Sequence, residues 1–129
     1  MRTIKFRGKT HGNGKWYYGS LVYSNEINAA IYFQIGRGMI KRMDWVYVIP
    51  ETIGQFTGLY DCNGNKIYEG DILDFNGLKI EVRFVRGVFA LLCNGDLDNE
   101  LCGDCRTDMF AKVIGNIHDN PELLKGGEE

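Results

Sequence analysis

Residues 50 to 73, PETIGQFTGLYDCNGNKIYEGDIL, contain a reversal that leaves the chain little local choice. In the tetrad Asp61-Cys62-Asn63-Gly64, Asp and Asn side chains bond their own backbone, and glycine takes the positive φ that side chains resist. The tetrad therefore predicts a turn joining two short strands, with Lys66 to Ile72 carrying the chain onward in extended form. The same signals recur at Thr10-His11-Gly12-Asn13-Gly14, Ser24-Asn25-Glu26, Gly36-Arg37-Gly38, Asn76-Gly77 and Arg86-Gly87. With 17 glycines and 2 prolines, this is a chain of short ribbons with little room for long helices.

The segments between the turns have the period of strands. Arg2 to Arg7 alternates, with Ile4 and Phe6 on one face and Lys5 and Arg7 on the other. Lys15 to Ser24 reads as a strand with Trp16 and Tyr18 inward, and Ile27 to Ile35 as the next. Met39 to Asp44 is polar and basic and reads as a connection. Trp45 to Ile49 is a strong β-run, ended by Pro50 because proline cannot donate to a ladder. Leu78 to Val85 predicts Ile80, Val82 and Phe84 inward and Lys79, Glu81 and Arg83 outward. Val88 to Cys93 and Ala111 to Ile117 complete the set. Trp16, Trp45 and Phe84 are expected in the core. Asn94 to Asp108 is an irregular acidic loop. Asn120-Pro121-Glu122 predicts one capped helical turn, which Gly126-Gly127 stops.

Landmarks across the chain resemble the YopX-like proteins of phages and prophages. They begin with Ile4-Lys5-Phe6-Arg7-Gly8 and Trp16, Tyr18-Gly19-Ser20-Leu21. Next come Glu51-Thr52, Gly54-Gln55-Phe56-Thr57-Gly58, Asp61, Asn63-Gly64 and Tyr68-Glu69-Gly70-Asp71-Ile72. Val113 to Leu124 matches the family's end. The resemblance implies phage origin and an SH3-like barrel in the C-terminal part, and names no activity. The expected fold class is mainly β: an N-terminal antiparallel β subdomain over 1–49, a connector and SH3-like small barrel over 50–125 with one short helical turn, and a tail over 126–129. The cysteines and the acidic loop are not landmarks of the resemblance.

At 129 residues the chain is long enough to bury a core without staples. Its N-terminus lacks an apolar stretch of signal-peptide type, and no apolar run reaches spanning length. A cytoplasmic protein with no membrane association is therefore expected. The net charge of −2 conceals an asymmetry: residues 1 to 50 hold eight Lys/Arg against two Asp/Glu, and residues 51 to 129 hold seven against fifteen. Internal neutralisation, self-association through opposite charges, or contact of the basic part with nucleic acid would each account for it.

Chemistry-bearing residues are sparse. Cys102-Gly103-Asp104-Cys105 has zinc-like spacing, but Cys62 and Cys93 are solitary rather than a second close pair, so reduced thiols and no metal are expected. Glu69 and Asp71, read as two apart on a strand, point the same way and form a carboxylate pair for a divalent ion or acid–base work; the alternative is that they fix a turn. His11 and His118 have no metal-ligand spacing. Arg37 with Lys41 and Arg42 surrounds a glycine bend that suits phosphates, and aromatics interleave with cations from Lys15 to Tyr23 and Arg42 to Tyr47, as in single-strand binders. No cofactor motif is legible. The expected function is a non-enzymatic interaction module with an unidentified protein partner. A single-stranded nucleic-acid binder and a metal-dependent hydrolase are the alternatives.

Overall fold

Each predicted reversal joins two strands that pair with each other. The computed structural model describes residues 3–25, 28–93, 100–101 and 107–125, the pair 100–101 by backbone alone. Arg2, Glu26, most of the acidic loop with Cys102 and Cys105, and the tail 126–129 lie outside the described residues. The chain divides into two compact units, Met1–Phe56 and Thr57–Glu129. Among the described residues the fold is mainly β, with antiparallel sheets and one short α-helix.

The first unit contains β1 (Phe6–Lys9), β2 (Trp16–Tyr23), β3 (Ala29–Arg37), β4 (Ile40–Val48) and the start of β5 (Gly54–Tyr60). They lie side by side in the order β4-β3-β2-β1-β5. Ala29, Ile31 and Val48 are its buried centre, with Phe6, Tyr17, Leu21, Val46 and Ile53 packed against it. Pro50 leaves the sheet in a 3-10 turn, Pro50–Thr52. Thr52 Oγ1 accepts from the Lys9 amide (2.9 Å) and donates to the Ile49 carbonyl (2.6 Å), which fixes the exit. Gly19 is required by close approach: a Cβ there would stand 2.0 Å from the Tyr32 carbonyl oxygen.

In the second unit β6 (Lys66–Tyr68) neighbours β5, and Thr57 Oγ1 donates to the Ile67 carbonyl (2.8 Å). A five-stranded sheet follows: β7 (Asp71–Phe75), β8 (Leu78–Val85), β9 (Val88–Cys93), β10 (Glu100–Leu101) and β11 (Ala111–Asn116), in the order β10-β9-β8-β7-β11. Asn76 and Arg86 both take positive φ ahead of a positive-φ glycine, the twist that two-residue hairpin turns need. Ile67, Leu73, Ile80, Val82, Leu91 and Ala111 form the core, flanked by Phe75 and Val113. A single helical turn, Thr107–Phe110, precedes β11, and the capped turn is 3-10, Pro121–Lys125. The described strands form open sheets and do not close into a barrel.

The departures from the expected pattern share a cause: periodicity places side chains on alternate faces without saying which face is covered. The first strand begins at Phe6, Ile4 is 60% exposed before it, and Arg7 is buried with its guanidinium 4.8 Å over the half-buried Trp16 ring. Tyr17 rather than Tyr18 packs on the core, its ring 5.0 Å from Phe33. Glu81 is buried because the second face of β8 is also covered: Pro121–Lys125 lies against it, with Leu123 and Leu124 half-buried. Arg83 neutralises Glu81 through a fork, Nε to Oε2 at 3.1 Å and Nη2 to Oε1 at 2.7 Å. Phe84 is 52% exposed, since the β8–β9 hairpin runs past a core that ends at Val82 and Leu91; its ring pairs edge-on with Phe89.

Gly19→Ala is expected to cost about 3 kcal/mol or more in urea unfolding, because backbone rather than a yielding side chain occupies the space. Ser20→Ala, at the next and exposed position, should cost about 0.5 kcal/mol or less.

Candidate interaction surface

Of the polar segment Met39 to Asp44, read as a connection, Ile40 to Asp44 is strand and Met39 belongs to the turn. The β3–β4 register is continuous from Ala29↔Val48 to Arg37↔Ile40, so the hairpin reverses only at Gly38-Met39. Polarity misled because an edge strand beyond its core carries polar residues on both faces. Gly36 permits the crossing, since a Cβ there would lie 2.0 Å from the Ile40 carbonyl oxygen.

This geometry gathers Arg37, Lys41 and Arg42 at one end of the hairpin. Lys41 pairs with Gly36, Arg42 with Ile35, and Arg37 with Ile40. Ile35, Gly36, Ile40 and Arg42 line a depression of about 180 Å³. That is below the roughly 300 Å³ at which small-molecule pockets begin, so the hairpin presents a surface rather than an enclosing site. Met39 and Ile40 are 102% and 84% exposed, a large apolar display beside three cations.

Along β4 the faces differ. Val46 and Val48 turn to the core, while Lys41, Met43, Trp45 and Tyr47 stand on the opposite, exposed face. Trp45 is therefore not a core residue: it is 44% exposed, stacked at 6.0 Å on Tyr32 and edge-on at 4.9 Å to Tyr47. Tyr18 and Val22 continue this outer face on β2 and are also exposed. The cations were legible in the sequence. So were the aromatics interleaved with them from Arg42 to Tyr47; the exposure of Trp45 and of the methionines was not, because a β-run rich in such residues reads as core.

Glu69 and Asp71 do not form a carboxylate pair on one strand. Glu69-Gly70 is the turn between β6 and β7, and Gly70 takes φ 94°. Asp71 is buried, with Oδ2 accepting from the Tyr68 amide at 2.8 Å. The Gly70 amide donates to Val82 and its carbonyl accepts from Ile117, so this corner is tied to two further segments. Among the described residues no three of His, Cys, Asp and Glu converge as a metal site. Cys62 is exposed and Cys93 half-buried, both as thiols, and the acidic loop invoked for a hydrolase falls mostly outside the described residues.

Asp61 is buried, and its carboxylate accepts four hydrogen bonds. Oδ1 accepts from the Asn63 and Asn65 amides (2.9 and 2.8 Å), and Oδ2 from Asn65 Nδ2 and the Val113 amide (3.2 and 3.0 Å). Its contacts within the turn follow from Asx chemistry; the reach to Val113 had no local signal. Burial raises its pKa, but the hydrogen bonds from Val113, Asn65 and Asn63 outweigh burial and hold the carboxyl below the usual aspartate range. A depressed value means stability present at neutral pH and lost as pH falls below about 4. Asp61→Asn should therefore cost about 2 kcal/mol at pH 7 and flatten the decline of stability between roughly pH 4 and pH 2, measured by urea unfolding of both proteins across that range.

Comparison with known proteins agrees with the geometry. The family described as "YopX protein" matches residues 5–125. The chain is similar to the crystal structure of protein EF1440 from Enterococcus faecalis, at 25% identity and a TM-score of 0.65, covering 96% of this chain and 99% of that one. No curated protein matches. Among the described residues no helix is long and apolar enough to cross a membrane.

Proposed function

This chain belongs to the YopX family, and from that premise we propose that it is a non-enzymatic interaction module of a phage or prophage, acting in the cytoplasm of the bacterial host. The β3–β4 hairpin of the first unit is its contact surface, with Arg37, Lys41 and Arg42 as recognition residues and Met39 and Ile40 as apolar anchors. The observation that carries this reading is the exposure of β4: from Ile40 to Trp45 every side chain is exposed, although this stretch of a nine-residue strand contains two large apolar residues, Ile40 and Met43, and a tryptophan. Single exposed apolar residues are ordinary, whereas a contiguous display at a sheet edge marks a surface that is covered in use. Glu69 and Asp71 serve in this reading as turn-fixing residues. We read the second unit as SH3-like in its run of five short reversing strands, although the described strands stay open rather than closing into a barrel, and its role as the scaffold.

A second reading is favoured by a specific feature. Trp45 and Tyr47 lie on the same exposed face as Lys41, the combination on which single-stranded nucleic acid stacks.

Arg37→Glu with Lys41→Glu tests the surface. Tagged wild-type protein recovered from an induced host is expected to retain a partner that the double variant loses, with an unchanged thermal transition; equal recovery by both proteins overturns the hairpin assignment. A labelled oligonucleotide distinguishes the second reading, since nucleic-acid binding should weaken steeply and linearly in log–log form as salt rises.

A further inference from the structure

We infer that the occupant of the open side of β4 is the β4 strand of a second copy, paired antiparallel about a two-fold axis through Met43. This rests on the reading of the hairpin as an interaction surface and names its partner. Among the described residues β4 has one strand neighbour, β3, so one side of its backbone is open. The Trp45 amide donates to Asp44 Oδ1 at 2.8 Å, which turns this N–H to the open side. By alternation Lys41 and Met43 turn their amides the same way. An isologous pairing must then place odd residues opposite odd and even opposite even.

Charge selects among those registers. An axis through Arg42 sets two guanidinium groups against each other, one through Asp44 sets two carboxylates together, and one through Lys41 opposes two ammonium groups. An axis through Met43 places Arg42 opposite Asp44 of the other copy, twice. It also places Ile40 opposite Val46, Lys41 opposite Trp45, and Met39 at the hairpin turn opposite Tyr47. Arg42 and Asp44 then occupy non-hydrogen-bonded sites, where opposed side chains are closest. Lys41 lies across from an indole face, which attracts cations. The Trp45 amide exchanges its bond to Asp44 for a carbonyl of the partner strand, releasing that carboxylate for Arg42. A charged edge ordinarily discourages pairing; here the charges are ordered so that one register attracts and its symmetric neighbours do not.

Sedimentation velocity on the full chain, over a concentration series reaching on the order of 0.5 mM, tests this with Arg42→Asp, Asp44→Arg and the two combined. The wild type is expected to dimerise, each single reversal to weaken dimerisation at least about tenfold, and the combined swap to restore it. Restoration is the result that only opposed Arg42 and Asp44 produce. A wild type that stays monomeric throughout, or a combined swap no better than the single variants, overturns the inference. A monomer whose partner is still lost on Arg37→Glu with Lys41→Glu removes the second copy as occupant while leaving the contact surface intact.

Discussion

The backbone groups on each side of a strand need partners, a neighbouring strand or water, and among the described residues β4 has one neighbouring strand. That constraint organises the functional reading of the first unit. The rest of the hairpin is committed: Ala29, Ile31 and Val48 anchor its base, and glycine close approach at Gly36 locks the crossing near its tip. Between them β4 extends beyond its core with two cations, a methionine and a tryptophan exposed. Such an arrangement is costly to leave uncovered. The Asp44 carboxylate covers one outward amide, a local accommodation rather than a closed edge.

The second unit solves its backbone problem internally. Asp61 gathers donors from its own turn and from Val113, joining segments 52 residues apart. Asp71 and Gly70 tie the next corner to β8 and to the residue after β11. From sequence, Asp71 with Glu69 invited a metal or acid–base interpretation, as two carboxylates on one strand. In the structure Asp61 and Asp71 are buried and accept from backbone amides. The unit's buried charge at Glu81 is likewise matched by the Arg83 fork. The two units thus differ in their use of charge: buried carboxylates of the second meet fixed partners, and the cations of the β3–β4 hairpin stand exposed.

Legibility followed the range of the interaction involved. Asn76-Gly77 and Arg86-Gly87 were readable because positive φ is a property of a few adjacent residues. Ile80 and Val82 were readable as core because strand alternation is local. Phe84 and Trp45 were not, although their residue types favour burial: one lies past the end of its core and the other on an uncovered face. Glu81 shows the converse, a polar residue on the expected solvent face that the C-terminal turn covers. In the candidate surface, Arg37, Lys41 and Arg42 stood out by composition. Met39, Ile40 and Met43 gained meaning only when the strand was seen to continue through them.

The amino-acid order by itself determined where the chain reverses, which runs are extended, and that antiparallel ribbons are the outcome, since turn chemistry and pleat period act over a few residues. Only the tertiary structure decided which face of each ribbon is dry, that Asp61 reaches Val113, and that among the described residues β4 has a strand on one side alone. Those outcomes depend on which distant segment arrives to cover a surface, and no short-range rule carries that information.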